Sequence, residues 1–383
     1  MRAGAHRVAG WVAAPLLAVA CLLAFATVAA PPAAASAPPQ VAAKAAILID
    51  RVTGRVLWSK DPDRRLAMAS TTKIMTLLVV LEHRRDVLDD VFEVPDAVAG
   101  TTGVGLQPGD VITYREAITG MIVRSATDCA IALAVDVSGS EDAFVAEMDR
   151  NARQWGLTRT HYTNASGAPP DPAHYTSARD LAMLGRRAML DPLVRQFVTI
   201  QDATVTWEGG SFPCHSQNWI LDYPWGEGIK PGYTPQAKYC LAAAGQPGLR
   251  PLISVTLGEP SRPRNMRDSA DLLLYGSTLY RRRDLIHAGD VVTRPTAQDG
   301  SSFTAVAGAS LAGVVVRKAA VVRRTLVLTP QPATPAAGSV IGTATYRADG
   351  EVLGTVQLCA TAPPIAASPA GNPLQGRVPE PAP

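Results

Sequence analysis

"MASTTKIMT", residues 68–76, sets Ser70 one helical turn ahead of Lys73 and then runs straight into an apolar stretch. The positions that follow, Ile74, Met75, Leu77, Leu78, Val79, Val80 and Leu81, are apolar almost all round. A helix from Ser70 to about His83 is therefore expected to be central and buried. A serine at its start lies near unpaired backbone N–H groups and the positive end of the dipole. Lys73, at i+3, points to the same face. Desolvation disfavours the charged form of a lysine held there. A neutral amine beside a hydroxyl is an activated nucleophile. S-x-x-K alone recurs by chance, so the rest of the chain has to decide between chemistry and an ordinary first turn.

Upstream, "AAILID" (45–50) and "RVLWSK" (55–60) flank a turn at Thr53-Gly54 and read as a hairpin. Downstream, "DCAIALAVDVSG" and "EDAFVAEMDRNARQWG" are helical patterns, the second stopping at Gly156. "SARDLAMLGRRAML" opens with Ser177 three residues before Asp180, like a capping box. Strand-like runs follow at 203–209, 228–234 and 239–245, and a helix is expected near 266–284, with Arg281, Arg282 and Arg283 as its solvated end. Strands, then many helices, then strands again argue for an α/β or α+β domain on an antiparallel sheet with a helical subdomain. After Ile286 the texture changes to short β-rich runs, and Asp349-Gly350 is a strong hairpin signal. A small all-β domain is expected over 286–361, behind a main domain at 44–285, with a disordered Pro/Ala-rich tail at 362–383.

The 383 residues suffice for one substantial core and a smaller second domain. A hydrophobic fraction of 47% with 18% charged residues excludes wholesale disorder. A formal charge of +3 with no long Lys/Arg run argues against nucleic acid as the partner. Arg2, His6 and Arg7 precede an apolar stretch from about Val8 to Ala30, and Ala35-Ser36-Ala37 resembles an export cleavage site. Residues 1–37 read as a signal peptide, 38–43 as a linker, and the chain as exported to the periplasm or another extracytoplasmic cell-wall space. Membrane attachment is expected only if that segment stays uncleaved. In such a compartment Cys214 with Cys240 is the disulfide to test, against free buried thiols.

Two further residues complete a set with Ser70 and Lys73: Ser125, just before a helix, and Lys230, on the strand "GIKPGYT". That order is the three-part pattern of serine penicillin-recognising enzymes. The surroundings "AKAAILIDRVTGRVLWSKDPDRRLAMASTTKIMT", "GLQPGDVITYREAITGMIVRSATDCAIALAVDVSGSE", "THYTNASG" with "HYTSARDLAML", and "GIKPGYTPQAKYCLAAA" resemble the low-molecular-mass D-alanyl-D-alanine carboxypeptidases over about residues 44–285. "GSVIGTATYRADGEVLGTVQL" resembles the small β domain of many of them. The resemblance implies a penicillin-recognising transpeptidase-like fold without cofactor or metal, acting on peptidoglycan stem peptides and acylated by β-lactams. It implies Ser70 as nucleophile, Lys73 as its base, Ser125 as proton relay and Lys230 as holder of a positive local potential. The backbone N–H groups of Ser70 and Tyr233 are the implied oxyanion hole.

Two departures from the family pattern stand out. Thr127 replaces the asparagine that usually ends the second motif, exchanging an amide donor and acceptor for one short hydroxyl. Pro231 replaces the threonine of the usual Lys-Thr-Gly, removing a hydroxyl that helps hold the substrate carboxylate. Strand parity places position 231 on the same side as Tyr233, so proline removes a cleft-facing donor rather than a ladder bond, as an edge strand allows. Thr234 is the candidate replacement hydroxyl, although on alternate parity. A catalytically weakened scaffolding or wall-binding relative is the competing reading.

His174, Asn164 and Ser166 read as loop and turn residues, and Asp128 as a helix-start acid. Six histidines without H-E-x-x-H or a tight His/Cys cluster disfavour a zinc peptidase. No E-x-x-L-N lies between Ser125 and Lys230, which disfavours rapid β-lactam hydrolysis.

Overall fold

The computed structural model describes residues 37–361. The expected tail from 362 and the expected signal peptide, apart from its last residue, lie outside the described residues. The first hairpin forms as expected, from β1 (Ala45–Asp50) and β2 (Val56–Lys60). Helix α1 spans Lys73–Arg84, preceded by a 3₁₀ turn at Ala69–Thr72. Ser70 thus sits in that tighter turn and not in the α-helix proper. The helical part continues through β3 (Val91–Glu93), β4 (Val111–Thr113), α2 (Tyr114–Thr119), α3 (Thr127–Ser138), α4 (Glu141–Gln154), α5 (Ala178–Leu190) and α6 (Pro192–Val198). Serine side chains cap α4 and α5, with Ser140 Oγ accepting from Ala143 N and Ser177 Oγ from Asp180 N.

The strands that follow are β5 (Asp202–Trp207), β6 (Gly210–His215), β7 (Gly226–Thr234), β8 (Lys238–Gly245) and β9 (Leu252–Glu259), and α7 (Arg262–Ser277) closes this part. The main sheet is antiparallel in the order β2-β1-β9-β8-β7. Its two faces are both covered. Ala45, Ile47 and Ile49 join the core formed with the helical part, while Ala46 and Leu48 face α7 beside Leu272 and Leu273. Such strands read as continuous buried runs rather than alternating ones.

Two corrections arise here. Strand β9, "LISVTLGE", was absent from the expected strands although it is buried along its whole length. Its polar Ser254 and Thr256 interrupt the apolar run, yet both are satisfied internally, by the Ser269 carbonyl and by Asn265 Oδ1. The helix expected near 266–284 runs instead over 262–277. Arg281, Arg282 and Arg283 belong to a strand, β10 (Tyr280–Arg283).

The last segment comprises β11 (Val291–Thr293), β12 (Thr304–Ala307), β13 (Val314–Arg317), β14 (Arg323–Leu328), β15 (Val340–Ala348) and β16 (Glu351–Thr361). Strands β11-β12-β16-β15-β14 form an antiparallel sheet, and β10 pairs with β13. Asp349 and Gly350 both take positive φ, 52° and 86°, the geometry a tight β15–β16 hairpin requires. Buried Asp50 accepts from Tyr280 Oη at 2.6 Å and from Arg250 Nε at 2.9 Å, and Arg250 also pairs with Glu351. This network ties the β-rich segment to the end of β1 in the main sheet. Cys129, Cys214, Cys240 and Cys359 are all free thiols, so the Cys214–Cys240 bridge does not form.

Candidate active site

Ser70 is held by its own turn. Ala69 takes φ +47°, a left-handed conformation that costs a residue with a Cβ about 1 kcal/mol or more. Side chains on either side restrain it. Thr71 Oγ1 donates to the Met68 carbonyl and Thr72 Oγ1 to the Ala69 carbonyl, each at 2.7 Å. Behind them lies His174, 4% exposed. Its Nδ1 accepts the Thr163 N–H at 3.0 Å, which assigns the ring proton to Nε2, and Nε2 donates to Thr72 Oγ1 at 2.7 Å. Burial holds this imidazole neutral, down to about 4. His174 is therefore a structural residue, as its loop position suggests, and the structure it supports is the Ser70 turn.

Lys73 is fully buried at the start of α1. Its Nζ lies 3.3 Å from Ser70 Oγ and donates to the Ser166 carbonyl at 2.7 Å. Burial pushes the ammonium down to about 7, against a smaller upward pull from Cys129 and Asp128. The Ser166 carbonyl is fixed by Asn164, whose Oδ1 accepts from the N–H groups of Ser166 and Gly167 at 3.2 and 2.6 Å. The turn reading of these two residues holds, and sequence reasoning missed that this turn aims the lysine.

Ser125 occupies the left-handed region, φ 64° and ψ 32°, between a π-helical turn at Gly120–Arg124 and α3. Single π turns of this kind recur at functional sites. The strained residue is braced by hydrogen bonds from Ala126 N to Gly120 O at 3.1 Å and from Thr127 N to Thr102 O at 2.9 Å. Asp128, 1% exposed, accepts at Oδ2 from the N–H groups of Val104, Gly105 and Leu106. It pins loop 102–106 over the start of α3, a task beyond that of a first-turn acid.

The third wall is β7, an edge strand of the main sheet. Pro231 opposes Leu241 and Tyr233 opposes Tyr239 in the β7–β8 ladder, so both share one parity. A Cβ added to Gly232 would lie 2.8 Å from Ser70 N and 3.0 Å from Thr71 N. The two backbones thus approach as closely as glycine permits. Lys230 is 1% exposed, and its Nζ donates to the Pro231 carbonyl at 3.3 Å. Burial, and secondarily Lys73, push its ammonium well below the ordinary lysine value. Thr234 does not replace the missing hydroxyl. It is buried, and its Oγ1 accepts from Ala237 N at 3.0 Å within the β7–β8 turn.

Ser70, Ser125, Pro231, Gly232 and Tyr233 line one cavity of about 180 Å³, with Gln217, Arg262 and Asn265 also in its lining. Lys73 and Lys230 lie buried behind this lining, and Thr127, half-buried at the first position of α3, stands beside Ser125. Arg262 was not foreseen. It stacks over Trp219 at 5.3 Å and makes no ion pair among the described residues, so it offers the cavity a free guanidinium.

Comparison with known proteins matches this arrangement to a family. The model of the peptidase family described as D-alanyl-D-alanine carboxypeptidase matches residues 32–261. The chain belongs to the D-alanyl-D-alanine carboxypeptidase family. Carboxypeptidase DacF of Bacillus subtilis is 29% identical over 323 residues, covering 81% of this chain and 83% of that protein. The carboxypeptidase of Streptomyces sp. strain K15 is 30% identical over 292 residues, 70% of this chain and 98% of that one. Among solved structures, penicillin-binding protein 5 from Haemophilus influenzae superposes with a TM-score of 0.62 at 27% identity, covering 85% of this chain and 98% of that one. The fold expected from sequence is that of these carboxypeptidases: mixed helices and antiparallel sheet, followed by a β-rich segment.

Proposed function

We propose that this serine carboxypeptidase removes the terminal D-alanine of peptidoglycan stem peptides through an acyl-enzyme on Ser70. One observation carries the assignment of roles. A fully buried amine, pushed to about 7, lies 3.3 Å from a serine hydroxyl that opens into the cavity. Lys73 takes the Ser70 proton as Oγ attacks the carbonyl between the last two residues. The N–H groups of Ser70 and Tyr233 receive the developing oxyanion, a reading supported by the close approach of Gly232 on β7 to the Ser70 turn. Ser125 passes a proton to the departing D-alanine, and water then releases the acyl group. Lys230 and Arg262 attract the substrate's terminal carboxylate, in place of the hydroxyl lost at Pro231; Thr127 offers the peptide one hydroxyl beside Ser125. A β-lactam presents the same carbonyl and carboxylate and acylates Ser70 as a slowly released inhibitor.

The proposal extends to the chain's organisation. The catalytic part ends near 285, where a separate apolar cluster begins with Leu285 and Ile286. The N-terminal segment directs export, and no helix among the described residues is long and apolar enough to cross a membrane. The test is release of D-alanine from a pentapeptide ending in D-Ala-D-Ala, with fluorescent-penicillin labelling of wild type and Ser70→Ala. Release and labelling that both vanish in Ser70→Ala are expected. Labelling without release would reject the carboxypeptidase reading in favour of a binding protein.

A further inference from the structure

We propose that the β-rich segment carries a docking groove for a phosphodiester polymer, gripped by Arg283 and Arg324. This goes beyond the peptidase reading and rests on separate observations. Residues 281–361 hold nine Lys and Arg against five Asp and Glu, although the whole chain has a formal charge of only +3. The five acids are already engaged. Asp284 accepts from Gly313 N, Asp290 from His287 N and Asp299 from Ser301, while Asp349 pairs with Arg317 and Glu351 with Arg250. Among the described residues, Arg281, Arg283, Arg323, Arg324 and Arg347 make no ion pair, and all five are exposed.

Their placement is costly without an anion. Arg323 stands directly opposite Arg347 in the β14–β15 ladder, and like charges so placed destabilise a sheet. Arg324 opposes Tyr346, and the two, with Arg283 and Val291, line a groove of about 480 Å³. Its one acid, Asp290, is the residue that holds His287 N. Two guanidinium forks converging on one groove suit phosphate, which accepts paired hydrogen bonds from each. Strand β14 lies at the sheet edge, so Arg323 and Arg347 continue the positive strip around its other face.

The occupant follows from what surrounds the arginines. On the outer face Thr325 opposes Thr345, and Thr345 Oγ1 bonds Thr355 Oγ1 at 3.0 Å. The groove arginine Arg324 and the outer-face pair Arg323 and Arg347 lie on opposite faces of edge strand β14, so a flexible chain of repeated phosphates can reach both around that edge.

The test is anisotropy of a fluorescein-labelled glycerol-phosphodiester oligomer titrated with the full chain between 50 and 200 mM salt. Two parallel arms use vesicles one-third phosphatidylglycerol and a poly-glutamate peptide. Neutralising two to four phosphates predicts an affinity loss of roughly 10- to 50-fold across that salt range. Arg283→Ala with Arg324→Ala should weaken oligomer binding at least tenfold, and each single change severalfold. Penicillin labelling and melting temperature should stay at wild-type values. Wild-type oligomer affinity in the double variant overturns the proposal, as does preference for vesicles or poly-glutamate over the oligomer. If the double variant proves unstable, wild-type affinity in both single variants overturns it equally.

Discussion

Gly232→Ala puts the Ser70–β7 contact to a direct test. The added Cβ would sit 2.8 Å from Ser70 N, about 0.6 Å short of the 3.4 Å at which ordinary contact begins, and 3.0 Å from Thr71 N. Both neighbours are backbone atoms of a turn already fixed by Thr71, Thr72 and His174, so neither yields at little cost. The strand must retreat, carrying Tyr233 N away from the position opposite Ser70. Overpacking of this kind costs about 1–3 kcal/mol of stability. A displacement of about 1 Å at a reacting centre costs roughly 100-fold in rate, so 0.6 Å predicts acylation slowed roughly 10- to 100-fold. The assay is the second-order rate of labelling by a fluorescent penicillin, with thermal melting of the same preparation. A rate within threefold of wild type, whatever the melting shift, would refute the claim that this contact sets the oxyanion geometry.

Three further predictions concern titration and the two family departures. Because Lys73 must be neutral to accept the Ser70 proton, labelling should rise tenfold per pH unit and level off above about pH 7. Lys73→Arg, permanently charged, should lose that limb together with at least 100-fold in rate; an unchanged profile would remove Lys73 as the base. For His174, the folded value of about 4 lies below the ordinary 6.5, so the unfolded chain takes up its proton first as pH falls. Stability from this group is whole above pH 6.5 and declines between 6.5 and 4 by about 3 kcal/mol. Urea unfolding at pH 7, 5 and 4 should show a steeper loss in wild type than in His174→Gln, and equal slopes would contradict the assignment. Thr127→Asn combined with Pro231→Thr should raise D-alanine release severalfold, and an equal or lower rate would mean that these departures are compensated elsewhere.

How much of this was legible in the sequence differs by the kind of signal. Ser70 and Lys73 were readable because an i, i+3 spacing before an apolar helix fixes a shared face whatever the surroundings. The position of Pro231 was readable because strand period and the lost N–H both point to an edge, and β7 is an edge. Strand β9 was hidden because its pattern depends on both sheet faces being covered, and its buried hydroxyls find partners on α7. The strand nature of Arg281–Arg283 was equally hidden, since β10 exists only by pairing with β13, more than thirty residues away. Thr234 was misjudged as a cleft hydroxyl because its acceptor role depends on a local turn closing back on Ala237. Arg262 escaped because nothing in "PSRPRN" signals that the start of α7 joins the lining of a cavity made by three distant segments.

In the proposed mechanism the two buried lysines supply a charge-based grip that offsets part of what these departures remove. Burial acts first on both lysines, and Lys73 adds a secondary downward push on Lys230. The free site therefore holds less positive charge than two lysines suggest, and Lys73 is left close to half protonated near neutral pH. A substrate ending in a carboxylate changes that balance. Its negative charge favours the ammonium form of Lys230, so binding is accompanied by proton uptake, and the attraction is present only when an anion occupies the cavity. Such a grip needs neither the hydroxyl missing at Pro231 nor the amide missing at Thr127, because it acts through charge rather than through a directed hydrogen bond. A neutral peptide amide in place of the terminal carboxylate removes the driving charge, so it should bind without proton uptake. Calorimetry of Ser70→Ala with the acid and amide forms of one peptide, run in buffers of different ionisation enthalpy, measures that difference directly.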